Sequence, residues 1–261
     1  MRLKITLYSE KPFQIPINYN HPVSSAIYKM LAESSPEYAQ WLHDRGFVTS
    51  SGKPMKLFTF SRFLLNNPKT RGNILGGRGE VSFLFSSIGD EQISRHLVQG
   101  ILSAQTIRIG NRIAGGTFSI SSVESIPPPE FSDAEQFRTL SPASISTVRE
   151  SGGVKSIYYY RAEDDGTEAA LEKNLLNKYE LVRGKPYPGE LRIRLDREYL
   201  RRRKGRASKL ITIKEGRDDE VKVKAFLCPL EIAGSPDIIK LAYECGIGER
   251  SSQGFGMLEK I

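Results

Sequence analysis

Cysteine is scarce: only two occur in 261 residues, Cys228 and Cys245. They are isolated from each other, which rules out a disulfide framework and any zinc-ligand spacing. Long apolar runs are missing too. Nothing approaches the roughly 20 consecutive apolar residues that span a bilayer. The opening Met1–Ser9 alternates apolar and polar residues and lacks a secretory core. A soluble, cytoplasmic protein with no membrane partner is expected. Histidine is also rare, with three copies, His21, His43 and His96. No cluster of His, Asp and Glu has metal-ligand spacing.

What is abundant is positive charge. The formal net charge is +8 and the pI is near 9.4. Between Glu190 and Lys224 there are 13 Lys/Arg and 7 Asp/Glu, so 13 − 7 = +6 of that total lies in one stretch. Its centre is Arg201, Arg202, Arg203, Lys204, Gly205 and Arg206. Concentrated basic charge predicts contact with a polyanion. A strand reading of Leu191–Tyr199 puts Arg192 and Arg194 on the face opposite Leu191, Ile193 and Leu195. Lys222 and Lys224 alternate with Val221 and Val223 in the same way, and Tyr158, Tyr159 and Tyr160 are candidates for stacking on unpaired bases.

Periodicity divides the chain at Ile126-Pro-Pro-Pro-Glu130, a stiff linker. Ahead of it, the pattern predicts a strand over Arg2–Ser9 and a helix carrying the stripe Val23, Ile27 and Leu31. Strands over Lys56–Leu65 and Glu80–Ile88 are expected to join across a turn at Gly76-Gly-Arg-Gly79. A helix from Asp90 to about Ala104 and one strand over Thr106–Val123 complete the half. The order β, α, β, β, α, β is the ferredoxin-like one. Behind the linker the pattern is noisier. It predicts a strand over Phe137–Val148, a helix from Thr167 to about Leu181, and strands near Leu191–Tyr199, Leu210–Ile213 and Val221–Leu230. A last helix follows, with Ser235 as N-cap, Pro236 at the first position, a buried face of Ile238, Ile239, Ala242 and Cys245, and a stop at Gly246. The expectation is an α+β chain of two tandem ferredoxin-like domains: residues 1–126, a linker 127–136, and residues 137–261.

The stretch Gly246–Glu259, GIGERSSQGFGMLE, has glycines at 246, 248, 254 and 256 around a polar centre of Arg250, Ser251, Ser252 and Gln253, with Phe255 between the last two glycines. Glycine-rich backbone can approach a phosphate chain closely. It is not a Walker loop, which ends in Gly-Lys-Ser/Thr, nor a dinucleotide fingerprint, since Ser251 occupies the third glycine position. The stretch Gln253–Met257 echoes only part of the RNA-recognition-motif signature.

This loop resembles the C-terminal glycine-rich signature of the repeat-associated mysterious protein superfamily, the RNA-binding proteins of CRISPR systems. The segments NYNHPVSSAIYKML, WLHDRGF and PMKLFTFS resemble the start of its repeat endoribonucleases, the sixth Cas protein by number. The resemblance runs from the first strand to the last, although residues 130–190 match only in outline. It implies two ferredoxin-like domains, binding of CRISPR repeat RNA, and cleavage with no metal or other cofactor. It leaves open contacts with effector-complex proteins and a homodimer. Cutting would use the RNA's own 2′-OH as nucleophile, leaving a 2′,3′-cyclic phosphate and a 5′-OH.

The residues themselves support the assignment unevenly. Ser35 and Pro36 start a short helix with Tyr38, Trp41 and Leu42 on its inner side, and Gly46 ends it, so His43 falls in the last turn. A helix C-terminus favours an imidazolium there. The resemblance makes His43 the catalytic histidine, Tyr28 the tyrosine that orients or helps deprotonate the 2′-OH, and Lys56 the stabiliser of phosphoryl charge. Whether His43 acts as base or acid stays open. His96 reads as structural and His21 as a helix-start or surface residue. RNA contacts are expected from Arg192, Arg194, Arg201, Arg202, Arg203, Lys204, Arg206 and the loop residues Gly246, Gly248, Arg250, Ser251, Ser252, Gln253, Gly254, Phe255 and Gly256. A second reading is a non-catalytic RNA-binding subunit of a CRISPR effector complex. A third is a basic tandem ferredoxin-like protein that binds RNA in some unrelated process.

Overall fold

A computed structural model describes residues 1–50, 52–88 and 91–261. The first half contains β1 (Arg2–Pro16), α1 (Asn20–Ser34), α2 (Pro36–Asp44), β2 (Phe47–Val48), β3 (Pro54–Met55), β4 (Phe58–Phe60), β5 (Leu64–Leu65), β6 (Lys69–Arg71), β7 (Ile74–Ser87), α3 (Glu91–Ala104), β8 (Thr106–Gly110) and β9 (Gly115–Ile126). The second contains β10 (Ala134–Thr139), β11 (Ser146–Ser151), β12 (Val154–Tyr159), α4 (Thr167–Arg183), β13 (Arg192–Leu195), α5 (Arg197–Arg203), β14 (Ser208–Ile213), β15 (Val221–Phe226), β16 (Leu230–Ala233), α6 (Pro236–Cys245), a 3-10 turn at Ser251–Gln253, and β17 (Leu258–Lys260).

Two sheets organise these elements. The first runs β4-β7-β1-β9-β8 and the second β13-β16-β10-β17. Counting only the strands of the repeat in chain order, both read 2-3-1-4, so both halves are ferredoxin-like. Alternation on β1 puts Leu3, Ile5 and Leu7 into the first core, where they meet Val23, Ile27 and Leu31 of α1. In the second half Ile193, Leu195, Leu230 and Ile232 of the sheet pack on Leu171 and Leu175 of α4 and Ile238 and Ile239 of α6.

Several local expectations give way to longer-range packing. The glycine run Gly76–Gly79 is not a turn but part of β7, and the β6–β7 connection falls at Gly72 and Asn73. Gly77 is paired with Phe13, just past the register shift in β1, and a Cβ at Gly77 would sit 2.6 Å from the Phe13 ring. Glycine is there to admit a ring that packs on Phe118, at 5.0 Å between centroids. The expected strand over Lys56–Leu65 is split into β4 and β5, with Lys56 ahead of both. The strand expected over Thr106–Val123 is a hairpin whose turn is closed by Asn111 Oδ1, which accepts from Ile113 N–H and Ala114 N–H. The expected helix start Asp90 lies outside the described residues.

Behind the linker, the strand expected over Phe137–Val148 is interrupted after Thr139, and the hairpin β11–β12 was not foreseen. Leu191–Tyr199 is strand only to Leu195. Asp196 then caps α5, accepting from Tyr199 N–H at 2.8 Å. The basic cluster is therefore helical in part. Val221–Leu230 likewise breaks between β15 and β16. As an edge strand, β13 has N–H groups to satisfy. Those of Ile193 and Leu195 donate to Glu172 and Glu168 of α4. Ser235 precedes α6 as expected but makes no side-chain capping bond.

The two halves are bolted together at Arg2. Its guanidinium crosses from β1 to donate to the carbonyls of Tyr243 (2.8 Å) and Leu258 (2.9 Å) and lies 3.5 Å from the Tyr243 ring centroid. Burial lowers its pKa to about 10. Among the described residues, no helix is long and apolar enough to cross a membrane.

Candidate active site and nucleic-acid interface

The glycine-rich loop is held from the first half by one helix stripe. Asn20, Ser24 and Tyr28 recur every four residues along α1 and so share a face. Asn20 Nδ2 donates to the carbonyls of Gln253 (2.8 Å) and Gly254 (3.2 Å), and Ser24 Oγ donates to the Ser252 carbonyl (2.8 Å). The Tyr28 hydroxyl faces the Ser252 side chain, which offsets part of the effect of burial on its pKa. Thr59 on β4 completes the hold, donating from Oγ1 to the Phe255 carbonyl at 2.9 Å.

Tyr28 and His43 meet edge to face, with ring centroids 5.2 Å apart. α2 places His43 by ordinary rules: Ser35 Oγ accepts from Tyr38 N–H at the start, Pro36 follows, and Gly46 just past the end has φ +59°. The His43 side chain is 69% exposed, so its ring is open to substrate. Its Nδ1 lies 2.9 Å from Asp44 Oδ1. A carboxylate only accepts, so Nδ1 carries the proton and Nε2 is the nitrogen left for proton transfer. That bond holds the Asp44 carboxyl below its usual range. Burial pushes the Tyr28 phenol well above its ordinary value, so Tyr28 keeps its proton at neutral pH and acts as a donor.

Lys56 folds over Gly46 from the strand side. A Cβ on Gly46 would lie 2.7 Å from Lys56 Cδ and 2.9 Å from Nζ. The ammonium feels Asp44, the partner of His43, while burial lowers its pKa. Its Nζ is shielded from solvent and has no hydrogen-bond partner, as has Asn174 Oδ1 nearby. Leaving such groups unpaired costs about 1–3 kcal/mol each. A second histidine lies close. His21 is on the first turn of α1, its pKa lowered by burial, by Lys214 and Arg217 on the β14–β15 loop, and by His43. The sequence reading missed this setting, in which a hairpin from the other half brings Lys214 and Arg217 to His21. His96 is structural as expected, with Nδ1 2.9 Å from Ser34 Oγ and its ring against Tyr38.

The loop corrects one expectation. Its glycines serve close packing within the protein rather than open backbone for phosphate. A Cβ at Gly246 would lie 2.7 Å from the Gly256 carbonyl oxygen, at Gly248 2.3 Å from that of Ser144, at Gly254 2.3 Å from the Phe60 ring, and at Gly256 1.9 Å from the Ile247 carbonyl oxygen. The N–H groups of Ile247, Glu249, Gln253, Gly254 and Gly256 donate to protein carbonyls. Phe255, expected to touch RNA, is fully buried against Ile213, Val223 and Ala225, so its ring cannot do so. Ser251 is largely buried as well. Arg250, Ser252 and Gln253 form the accessible part, with Arg250 donating to Gln253 Oε1 and to the Tyr159 hydroxyl.

The other expected RNA contacts stand apart from this cluster. Arg192 and Arg194 project outward from edge strand β13 while Ile193 and Leu195 point inward. Arg201, Arg202 and Arg203 occupy the last turn of α5, Lys204 is its left-handed C-cap, and Arg206 follows. Glu190 pairs with Arg192 and Glu198 with Arg202, which offsets part of the charge. Of the tyrosines, Tyr158 lies under Arg149 and donates to Asp164, and Tyr160 packs on the core.

A tandem ferredoxin-like chain with a Tyr–His–Lys cluster beneath a C-terminal glycine loop is defined by these observations. Two family models match it: "CRISPR-associated protein Cas6, N-terminal" over residues 14–123 and "CRISPR associated protein Cas6, C-terminal" over residues 126–260. The chain belongs to the CRISPR-associated Cas6 family. It is 25% identical to CRISPR-associated endoribonuclease Cas6 1 of Methanocaldococcus jannaschii, covering 100% of this chain and 93% of that protein. It is 27% identical to CRISPR-associated endoribonuclease Cas6 of Pyrococcus furiosus, covering 99% and 89%. Among solved structures, one described as "An RAMP protein binding different RNA substrates" superposes with a TM-score of 0.79 at 24% identity, covering 100% of this chain and 99% of that one.

Proposed function

We propose that this chain is a Cas6 endoribonuclease that cuts CRISPR repeat transcripts and releases guide RNAs. The observation that carries the reading is the meeting of Tyr28, His43 and Lys56 at a glycine loop, in a Cas6-family chain. The 2′-oxygen attacks the adjacent phosphorus and the P–O5′ bond breaks, giving a 2′,3′-cyclic phosphate and a 5′-OH. No metal takes part. His43 Nε2 accepts the 2′-OH proton, because Asp44 holds Nδ1–H and orients the ring. Tyr28, kept protonated by burial, donates a hydrogen bond that positions the reacting oxygen. Lys56 stabilises the charge growing on the phosphoryl oxygens. O5′ takes its proton from water, which reaches the exposed His43 side of the site.

Work is divided between the halves. Residues 1–126 supply the reacting groups, and the part beyond the proline-rich linker grips the RNA. Arg192, Arg194, Arg201, Arg202, Arg203, Lys204 and Arg206 neutralise phosphates, while Arg250, Ser252 and Gln253 contact RNA beside the cut. Gly246, Gly248, Ser251, Gly254, Phe255 and Gly256 shape the loop from within. Single-turnover cleavage of repeat RNA tests the reading. His43→Ala is expected to lose about 10²–10⁴-fold in rate with binding retained. Unchanged cleavage by that variant would overturn it.

A further inference from the structure

Beneath the glycine loop lies a cavity of about 90 Å³ whose lining includes Lys53, Lys56, Asn174, Lys178, Glu249 and Arg250. Four cations face one carboxylate there, so 4 − 1 = +3. Glu249 is already engaged, pairing with Lys53 and accepting from Ser146 Oγ. The other cations have neutral partners or none. Lys178, 2% exposed, donates to the Gly246 carbonyl at 2.7 Å, and Arg250 meets Gln253 and Tyr159. Lys56 Nζ has no partner. Such a lining calls for an anion.

An anion alone does not complete it. Asn174, 6% exposed, leaves Oδ1 without a hydrogen-bond partner in the same wall. That oxygen needs a donor, which a phosphate does not offer. A ribose 2′-OH beside its phosphate supplies both, and a deoxyribose does not. Size agrees: about 90 Å³ admits several small polar groups. Position agrees as well. Lys56 and Ser252, the neighbour of Tyr28, belong to the lining, whereas Tyr28 and His43 stand outside it. The group bound here is therefore adjacent to the reacting linkage and distinct from it.

We propose that this cavity receives the ribose-phosphate unit next to the one that is cut, Asn174 Oδ1 accepting from its 2′-OH while Lys178 and Arg250 take its phosphate and Lys56, on the shared wall, faces the scissile one. The proposal rests on the endoribonuclease reading. Entry is over the exposed Lys53, whose pairing with Glu249 must turn aside.

The test uses the full chain and repeat RNAs carrying one 2′-fluoro substitution at each position in turn, since fluorine cannot donate. Cleavage is read first. Binding is then read on RNAs made uncleavable by a 2′-deoxy at the cut nucleotide. One position abolishes cutting and identifies the nucleophile. A second, adjacent position is expected to weaken binding by about 3–10-fold in the wild type and to have no effect in Asn174→Leu. In wild-type protein, a neutral methylphosphonate at that unit is expected to weaken binding and reduce the salt slope by about 0.7. Absence of a second sensitive position, or its persistence in Asn174→Leu, overturns the proposal. Should Asn174→Leu not fold, the two wild-type measurements decide, and unchanged binding with the methylphosphonate at the 2′-fluoro-sensitive unit overturns it. Loss of the first position would instead refute the cleavage chemistry.

Discussion

Gly256→Ala probes why the loop is glycine-rich, with Gly205→Ala as its comparison. Both residues have positive φ, +73° and +77°, so both substitutions carry the left-handed cost of about 1–2 kcal/mol. Their surroundings differ. A Cβ at Gly205 meets nothing within 4 Å, whereas one at Gly256 lies 1.9 Å from the Ile247 carbonyl oxygen. That carbonyl belongs to the residue whose N–H donates to the Gly256 carbonyl at 2.9 Å, so the backbone pair must separate. Overpacking adds about 1–3 kcal/mol, and the lost hydrogen bond about 1 kcal/mol. Gly256→Ala is therefore expected to cost about 3–6 kcal/mol and Gly205→Ala no more than about 2. Urea unfolding followed by circular dichroism measures the difference. Equal losses at the two positions would refute the claim that the loop's glycines serve internal packing.

Three further outcomes follow from named groups. Burial lowers the Lys178 pKa to about 8 from 10.5, so the unfolded chain holds a proton that the folded chain has lost between those values. Stability should therefore rise by roughly 3 kcal/mol as pH climbs from 8 to 10.5, and Lys178→Met should remove that rise in pH-dependent denaturation. Lys56 must stay protonated to serve the phosphoryl oxygens, and its pKa is lowered. The alkaline fall in cleavage rate should thus begin below the ordinary lysine range and move upward in Lys56→Arg. Replacing Arg201, Arg202 and Arg203 together by Ala should weaken RNA binding and flatten its salt dependence by up to about two units of slope, measured by titration in KCl.

How much of this was legible beforehand depended on the range of the interactions. α2 could be placed because Ser35, Pro36 and Gly46 are local signals, and with it His43 in the last turn. α6 was equally readable from Pro236 and Gly246. Gly76–Gly79 was misread because the reason for glycine, the Phe13 ring, comes from a strand some 60 residues away in sequence. Asp196 was an overlooked N-cap, and it turned a predicted strand into α5. The stripe Asn20, Ser24 and Tyr28 was visible as a four-residue polar repeat on α1, bordering Val23, Ile27 and Leu31, and would have pointed to the loop's anchors. Asn174, Lys178 and the nearness of His21 to His43 carried no such signal, since tertiary packing alone brings them to the site.

Cleavage of repeat RNA in excess EDTA, comparing wild type with His43→Ala and an RNA bearing a single 2′-deoxy at the cut nucleotide, tests the central claim most directly. The account predicts a 2′,3′-cyclic phosphate product from wild type, and loss of cutting with retained binding for both changes. Tight binding by wild type without any cut would contradict it and leave an RNA-binding protein whose His43 is an ordinary helix-end residue.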